Sequence, residues 1–102
     1  MSILQIPSNL EHCQPRLTAS LRPGCIRIRC EKNGAPALRI QMRYSGTPWY
    51  TIVEACESDH IEDRTPAEIP GREEVREYRA IAVVHGEEVG QPSEIVGVTL
   101  LG

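Results

Sequence analysis

Apolar and polar residues alternate along most of this chain, the pattern of strands with one buried and one solvent-facing side. Residues 37–45, ALRIQMRYS, alternate without a break. Their apolar positions are Leu38, Ile40, Met42 and Tyr44, and the intervening polar positions are Arg39, Gln41 and Arg43. This segment predicts a strand, third in chain order, with a polar outer face.

The same alternation predicts strands on both sides of this segment. Residues 17–21 alternate before the turn signal Pro23-Gly24, and CIRIRC at 25–30 follows with two arginines on its outer face. The short β-prone segment WYTIV at 49–53 follows a turn cluster. It is expected to return beside the third strand as a hairpin partner, with the register of Trp49 left open.

The C-terminal third predicts two more strands. In residues 75–84 one side carries Tyr78, Ala80, Ala82 and Val84, and the other carries Arg79, Ile81 and Val83. A loop at 85–92 precedes a last strand with Val96, Val98 and Leu100 in alternation. Residues 54–74 lose the pattern and predict at most one short strand, around Ile61 or at 67–69. About seven strands indicate an all-β sandwich of two antiparallel sheets.

Composition agrees with a single domain made of many short elements. A chain of 102 residues is long enough for one independent core. Aromatic residues are 4% of the chain, whereas 8 Pro and 8 Gly are spread along it, which favours strands and turns over helices. The net charge of −3 argues against a general nucleic-acid binder, which is usually basic.

The N-terminal sequence, MSILQIPSNLEH, has neither a basic start nor a long apolar stretch. We therefore expect a loosely held tail at 1–12 and a domain at 13–102, with no membrane segment and a cytoplasmic location favoured over secretion. Four cysteines would allow three pairings in an oxidising compartment. Cys25 and Cys30 face opposite sides of one predicted strand, which excludes that pair, and reduced thiols are the favoured interpretation.

The C-terminal order of elements resembles a fibronectin type III domain, in a divergent member of bacterial or phage type. The segments YRAIAVV, HGEEVGQ, PSE and IVGVTL, from Tyr78 to Leu100, stand where that family has a strand, a glycine-containing loop, a Pro-Ser step and a valine-rich strand. The resemblance covers roughly residues 14–101. It implies an immunoglobulin-like sandwich in which the third strand and the strand at 75–84 are neighbours.

Three departures from that family limit what the resemblance implies. Cys30 stands where the family commonly buries a tryptophan, and the tyrosine-corner position falls near Arg76. Tyr78 is then interpreted as a core ring, and the usual bond from its hydroxyl to the backbone is left open. The loop at 85–91 has no Arg-Gly-Asp tripeptide, so integrin-type adhesion is not implied.

The chain offers little for catalysis or metal binding. Cys56 and His60, with His12 and Cys13, are the only Cys/His set for zinc, and they lack the usual CxxC spacing. The acidic run at 54–63 lacks the spacing of a calcium loop. All three histidines lie in predicted loops or the tail, so the sequence does not assemble a Ser or Cys nucleophile with a His base and an orienting acid. We therefore expect a non-enzymatic protein without cofactor or metal.

The candidate functional surface is the outer face of the two neighbouring strands. It combines Arg39, Gln41, Arg43, Arg79, Ile81 and Val83. Outward Ile and Val beside arginines match an interface with an apolar centre and an arginine-rich edge. The partner would be another protein or a second copy in a symmetric dimer. The end loops at 31–36 and 85–92 are the rival site.

Two other functions are kept beside this protein–protein interaction module. One is a structural spacer or decoration subunit of a cell-surface or phage-like assembly. The other is a carbohydrate-binding module, for which Trp49 and Tyr50 would supply the aromatic platform. No nucleic acid, membrane or small-molecule substrate is expected.

Overall fold

The computed structural model describes residues 10–101, whose strands form two antiparallel sheets. The eight strands of this part of the chain are β1 (Arg16–Arg22), β2 (Cys25–Glu31), β3 (Ala37–Tyr44), β4 (Tyr50–Cys56), β5 (His60–Asp63), β6 (Glu73–Val84), β7 (Glu87–Val89) and β8 (Val96–Leu101). The described residues include no helix that is long and apolar enough to cross a bilayer. The all-β sandwich predicted from the alternation is confirmed.

The smaller sheet contains three strands in the order β1-β2-β5. Its central strand places Ile26, Ile28 and Cys30 inward, at 2%, 0% and 4% exposure. The two arginines of β2, Arg27 and Arg29, lie at exposed outward positions, as the alternation predicts. Of the two alternatives for a short strand in the weakly patterned region, the one around Ile61 is confirmed, because Ile61 pairs with Ile28.

The larger sheet has the order β4-β3-β6, and β6 is long enough to pair with two strands on its other side. Its end near Val84 pairs with β7, and its beginning near Glu73 pairs with β8. The neighbouring positions of β3 and β6 agree with the expectation from the resemblance. The predicted hairpin of β3 and β4 also forms, with irregular register at two points.

Strand β7 lies inside the segment predicted to be a loop. His85 and Gly86 both have positive φ, 52° and 81°, which suits the tight turn of a hairpin. Val89 then pairs with Ala82 and is buried, so three residues of an otherwise polar loop add a strand. One apolar residue in a short polar segment gives no periodic signal, which explains why the alternation indicates about seven strands and the structure has eight.

The segment before β1 packs between the two end loops that formed the rival binding site. Leu10, which the sequence places in the tail, is 4% exposed and joins the core. The backbone N–H of Gln91 donates a hydrogen bond to the Cys13 carbonyl over 2.8 Å. The Asn33 side chain donates to the Gln14 carbonyl over 2.7 Å. This segment therefore contacts both loops; the rest of the predicted tail, residues 1–9, lies outside the described residues.

Gly90 allows this close packing. Its φ is +72°, and a side-chain carbon at this position would lie 2.3 Å from the Cys13 carbonyl oxygen. Any larger residue would push the segment before β1 away from the loop.

Candidate protein-binding face

The predicted site residues lie together on the outer face of the larger sheet. In the register of β3 and β6, Arg39 pairs with Ile81 and Gln41 pairs with Arg79. Because both pairs have the parity opposite to the core residues, all four side chains point away from the core. The remaining two predicted residues, Arg43 on β3 and Val83 on β6, follow the same parity.

The apolar part of this face is covered. Ile81 and Val83 are only 6% and 4% exposed, so the expectation of an apolar centre open to solvent at these two residues is wrong. The Arg39 guanidinium donates to the Glu88 carboxylate over 2.7 Å. Since Arg39 lies on β3 and Glu88 on β7, with β6 between them, the arginine side chain crosses above the outer face of β6 and shields it from water.

Further contacts hold the Arg39 side chain in this covering position. Its Nε lies 3.3 Å from the Glu54 carboxylate, and its guanidinium also donates to the Gly86 carbonyl over 3.4 Å. The hydrogen bond to Glu88 raises the pKa of Arg39 above its ordinary value, and the two carboxylates add to the effect. This half of the face is therefore closed by ion pairs within the chain.

The other half of the face is built around the single tryptophan. The guanidinium carbons of Arg43 and Arg79 lie 4.3 and 4.6 Å from the centre of the Trp49 ring. Both distances are within the range of cation–π attraction. The turn between β3 and β4 places the ring there, with the Thr47 amide donating to the Tyr44 carbonyl over 2.9 Å. Trp49 is half-buried under the two arginines.

Neighbouring polar side chains hold the two arginines in place. Arg43 Nε donates to Glu77 over 2.9 Å, and Arg79 Nε donates to the Gln41 carbonyl oxygen over 2.7 Å. Each guanidinium carries four further N–H groups on its terminal nitrogens. Within residues 10–101 these terminal groups of Arg43 and Arg79 have no hydrogen-bond partner. We call Gln41, Arg43, Trp49, Glu77 and Arg79 the Trp49 patch.

Strand parity predicts three members of the Trp49 patch and does not identify the other two. Gln41, Arg43 and Arg79 follow from strand parity, whereas Glu77 has the right parity on β6 and was overlooked. Trp49 precedes β4, so parity could not place it. The available signal was chemical: a lone tryptophan next to a strand with outward arginines is a candidate for stacking on them.

A second polar cluster is buried at one end of the sandwich. Arg76 is 1% exposed and Asp63 is 7% exposed, and their side chains are 3.3 Å apart. Arg76 also pairs with Glu74 at 2.5 Å. Tyr78 is a core ring, as interpreted from the sequence, and its hydroxyl donates to the Asp63 carboxylate over 2.5 Å instead of to the backbone.

Hydrogen bonds and ion pairs within this cluster pair its buried donors, acceptors and charges with one another. Burial would raise the pKa of Asp63, but hydrogen bonds from Tyr78 and Thr65 and the charge of Arg76 hold it below its ordinary value. Burial and the adjacent carboxylate raise the pKa of Tyr78. The remaining Arg76 donors reach the carbonyls of Thr65 and Pro66, at 2.8 and 3.1 Å. With its donors and acceptors paired internally, the cluster is suited to stability and not to ligand binding.

The cysteines and histidines do not form a metal-binding group in the described part of the chain. Cys13, Cys30 and Cys56 are buried free thiols, and Cys25 is a half-buried one. Burial, with a smaller contribution from Cys56, raises the pKa of Cys30 to about 12. Residues 10–101 contain no group of three or more Cys, His, Asp or Glu residues able to hold a metal ion. The zinc set considered from the sequence is not brought together.

Comparisons with known proteins leave the chain without a family assignment. No protein-family model matches it, and no curated protein matches it. The function must therefore be argued from the geometry of the described residues.

Proposed function

We propose that this chain is a fibronectin type III-like domain that acts as a non-catalytic protein–protein interaction module through the Trp49 patch. The observation that carries the proposal is the pair of arginines fixed against Trp49 with their terminal N–H groups unused. The adjacent β3 and β6 strands and the two-sheet sandwich are consistent with the fold part of the proposal.

Several properties of the Trp49 patch suit an interface. Tryptophan and arginine are the residue types most enriched where a few side chains dominate binding energy. The stacking and the bonds to Gln41 and Glu77 hold the guanidinium groups in one arrangement before a partner arrives. A preorganised side chain loses less conformational entropy on binding. The patch therefore fits a partner surface that offers carboxylate or carbonyl oxygens to Arg43 and Arg79.

The test uses affinity capture from the native source with wild-type protein, Arg79→Glu and Arg72→Glu. Arg72 is an exposed turn residue outside the Trp49 patch and supplies a matched charge reversal. We expect Arg79→Glu to weaken a purified complex at least tenfold, a size typical of a central interface residue, while Arg72→Glu leaves it unchanged. Sedimentation of the chain alone at several concentrations shows whether the partner is a second copy.

Circular dichroism of each variant confirms that the domain remains folded. A complex that tolerates Arg79→Glu and Arg43→Glu would overturn the proposed role of this patch. A chain that forms no complex with any protein, itself included, would overturn the proposed function as a whole.

A further inference from the structure

A separate concave surface lies on the outer face of the three-stranded sheet, on the opposite side of the sandwich from the Trp49 patch. It has a volume of about 220 Å³. Its lining consists of Thr18, Ser20, Arg22, Arg27, Arg29 and His60. Each of these side chains can donate a hydrogen bond, and none is apolar or acidic. We call this surface the arginine basin.

The register of the sheet explains how these residues come together. Arg29 on the central strand β2 pairs with Thr18 on β1 and with His60 on β5, so the three form one row across the sheet. Ser20 pairs with Arg27 in the adjacent row. Because alternate residues of β1 and β2 fill the core, the polar residues between them must share the outer face.

Two of the basin arginines have no carboxylate to neutralise them. Within residues 10–101, no Asp or Glu oxygen lies within 4.0 Å of a guanidinium nitrogen of Arg22 or Arg29. By contrast, Arg27 pairs with Glu62 at 3.3 Å. The basin is therefore a local excess of positive charge on a chain whose net charge is −3.

His60 and the nearby acidic residues complete the electrostatic description. His60 Nδ1 lies 2.9 Å from the Asp59 carboxylate, an acceptor that leaves the other ring nitrogen of His60 uncommitted. Glu62 is held by Arg64 as well as by Arg27. Both nearby carboxylates thus have partners of their own. The hydrogen bond with His60, with a smaller contribution from the charge of Arg29, lowers the pKa of Asp59, but Asp59 forms no ion pair with Arg29.

The chemistry of the basin selects a class of ligand. Guanidinium groups bind oxyanions through parallel N–H bonds, and hydroxyl groups on the same surface add further donors. The basin lining has no Phe, Tyr or Trp ring, and the imidazole of His60 is the one aromatic group on which a base or a sugar could stack. Its small volume and its cationic, donor-rich lining fit one tetrahedral group, phosphate or sulfate.

We propose that the arginine basin is a binding site for a phosphate or sulfate group, with Arg29 at its centre and Arg22, Thr18 and Ser20 as further donors. This site is independent of the Trp49 patch. A protein whose Trp49 patch fails every test of partner binding would still bind the oxyanion here.

The experiment titrates isotope-labelled protein with sodium phosphate, sodium sulfate and glucose 6-phosphate, and follows backbone amide shifts by NMR. Sodium chloride keeps the ionic strength constant, because screening alone alters exposed charges. We expect saturable shifts centred on Thr18, Arg29 and His60 with phosphate or sulfate. Tighter binding of glucose 6-phosphate than of inorganic phosphate would identify the source as a phosphate ester, and equal affinity would identify it as the free anion.

Two variants test the assignment of residues. Arg29→Gln keeps a side chain of intermediate length without the charge and is expected to weaken phosphate binding at least tenfold. Arg16→Gln removes an arginine from the same sheet face outside the basin lining and should leave the affinity within twofold. Shifts that do not saturate, that match those of chloride, or that survive in Arg29→Gln would overturn the proposal.

Discussion

Two arginines on the same strand show opposite uses of the same side chain. Arg76 points into the sandwich and is 1% exposed, with its guanidinium bound to Asp63, Glu74 and two backbone carbonyls. Arg79, three positions later, points outward and lies half-buried against Trp49. An odd spacing on a strand puts the two on opposite faces.

The difference separates stability from recognition. Arg76 uses its donors inside the fold, so its removal would leave the buried Asp63 carboxylate and the partly exposed Glu74 carboxylate without their cationic partner. Arg79 is fixed by Gln41 and Trp49 but keeps its terminal N–H groups available. The buried cluster should therefore control unfolding, and the Trp49 patch should control binding.

Replacing Arg76 should cause the largest loss of stability. Arg76→Met keeps most of the side-chain volume but leaves Asp63 and Glu74 without the charge that compensates their burial. Breaking a buried ion pair in this way typically costs about 3–5 kcal/mol. Urea unfolding followed by circular dichroism measures the change. Arg72→Met, at an exposed turn, should stay within about 0.5 kcal/mol of wild type, and an equally small change for Arg76→Met would contradict the role of the cluster.

Acid should weaken the same cluster progressively. The pKa values of Asp63 and Glu74 are lowered in the folded protein, so their stabilisation is fully present above their unfolded pKa values, about 3.9 and 4.3. It is lost as the pH falls through the lower folded values. Unfolding free energy should therefore be nearly constant from pH 7 to about pH 5 and then decline.

Asp63→Asn supplies the control for the acid effect. The variant should be less stable than wild type at pH 7, and its stability should fall less steeply below pH 4. Identical slopes in the two proteins would show that other carboxylates cause the acid dependence.

Replacing Trp49 should have a smaller effect on stability. Trp49→Leu removes two cation–π contacts, each worth about 0.5–1 kcal/mol at a partly exposed site, so the expected loss is about 1–2 kcal/mol. The same urea experiment measures it. A loss as large as that for Arg76→Met would mean that the Trp49 patch is also a stability element, and the division between the two regions would fail.

Much of the fold follows from the sequence because alternation is a local signal. Strand β3 shows this most clearly, since each polar residue between its buried positions is an outward one. The burial of Arg76 was also within reach, because its parity on β6 is that of Tyr78 and Ala80. Parity does not identify the partner of Arg76, because Asp63 lies 13 residues away on another strand.

The candidate site was harder to predict because it depends on which side chains cross between strands. Parity correctly puts Ile81 and Val83 on the outer face, but their burial follows from Arg39 reaching Glu88 above β6. No sequence pattern indicates that the Arg39 side chain extends across β6 to Glu88. Trp49 likewise stacks on arginines of two different strands from a turn outside either of them.

The most direct test of the Trp49 patch is site-specific photo-crosslinking in the native source. A photoreactive residue replaces Thr47, an exposed turn position beside Trp49, or Glu87, which lies among the end loops of the rival site. We predict that position 47 yields a crosslinked protein, which is lost when Arg79→Glu is added, and that position 87 does not. The same product from position 87, with none from position 47, would place the partner on the end loops and contradict our account.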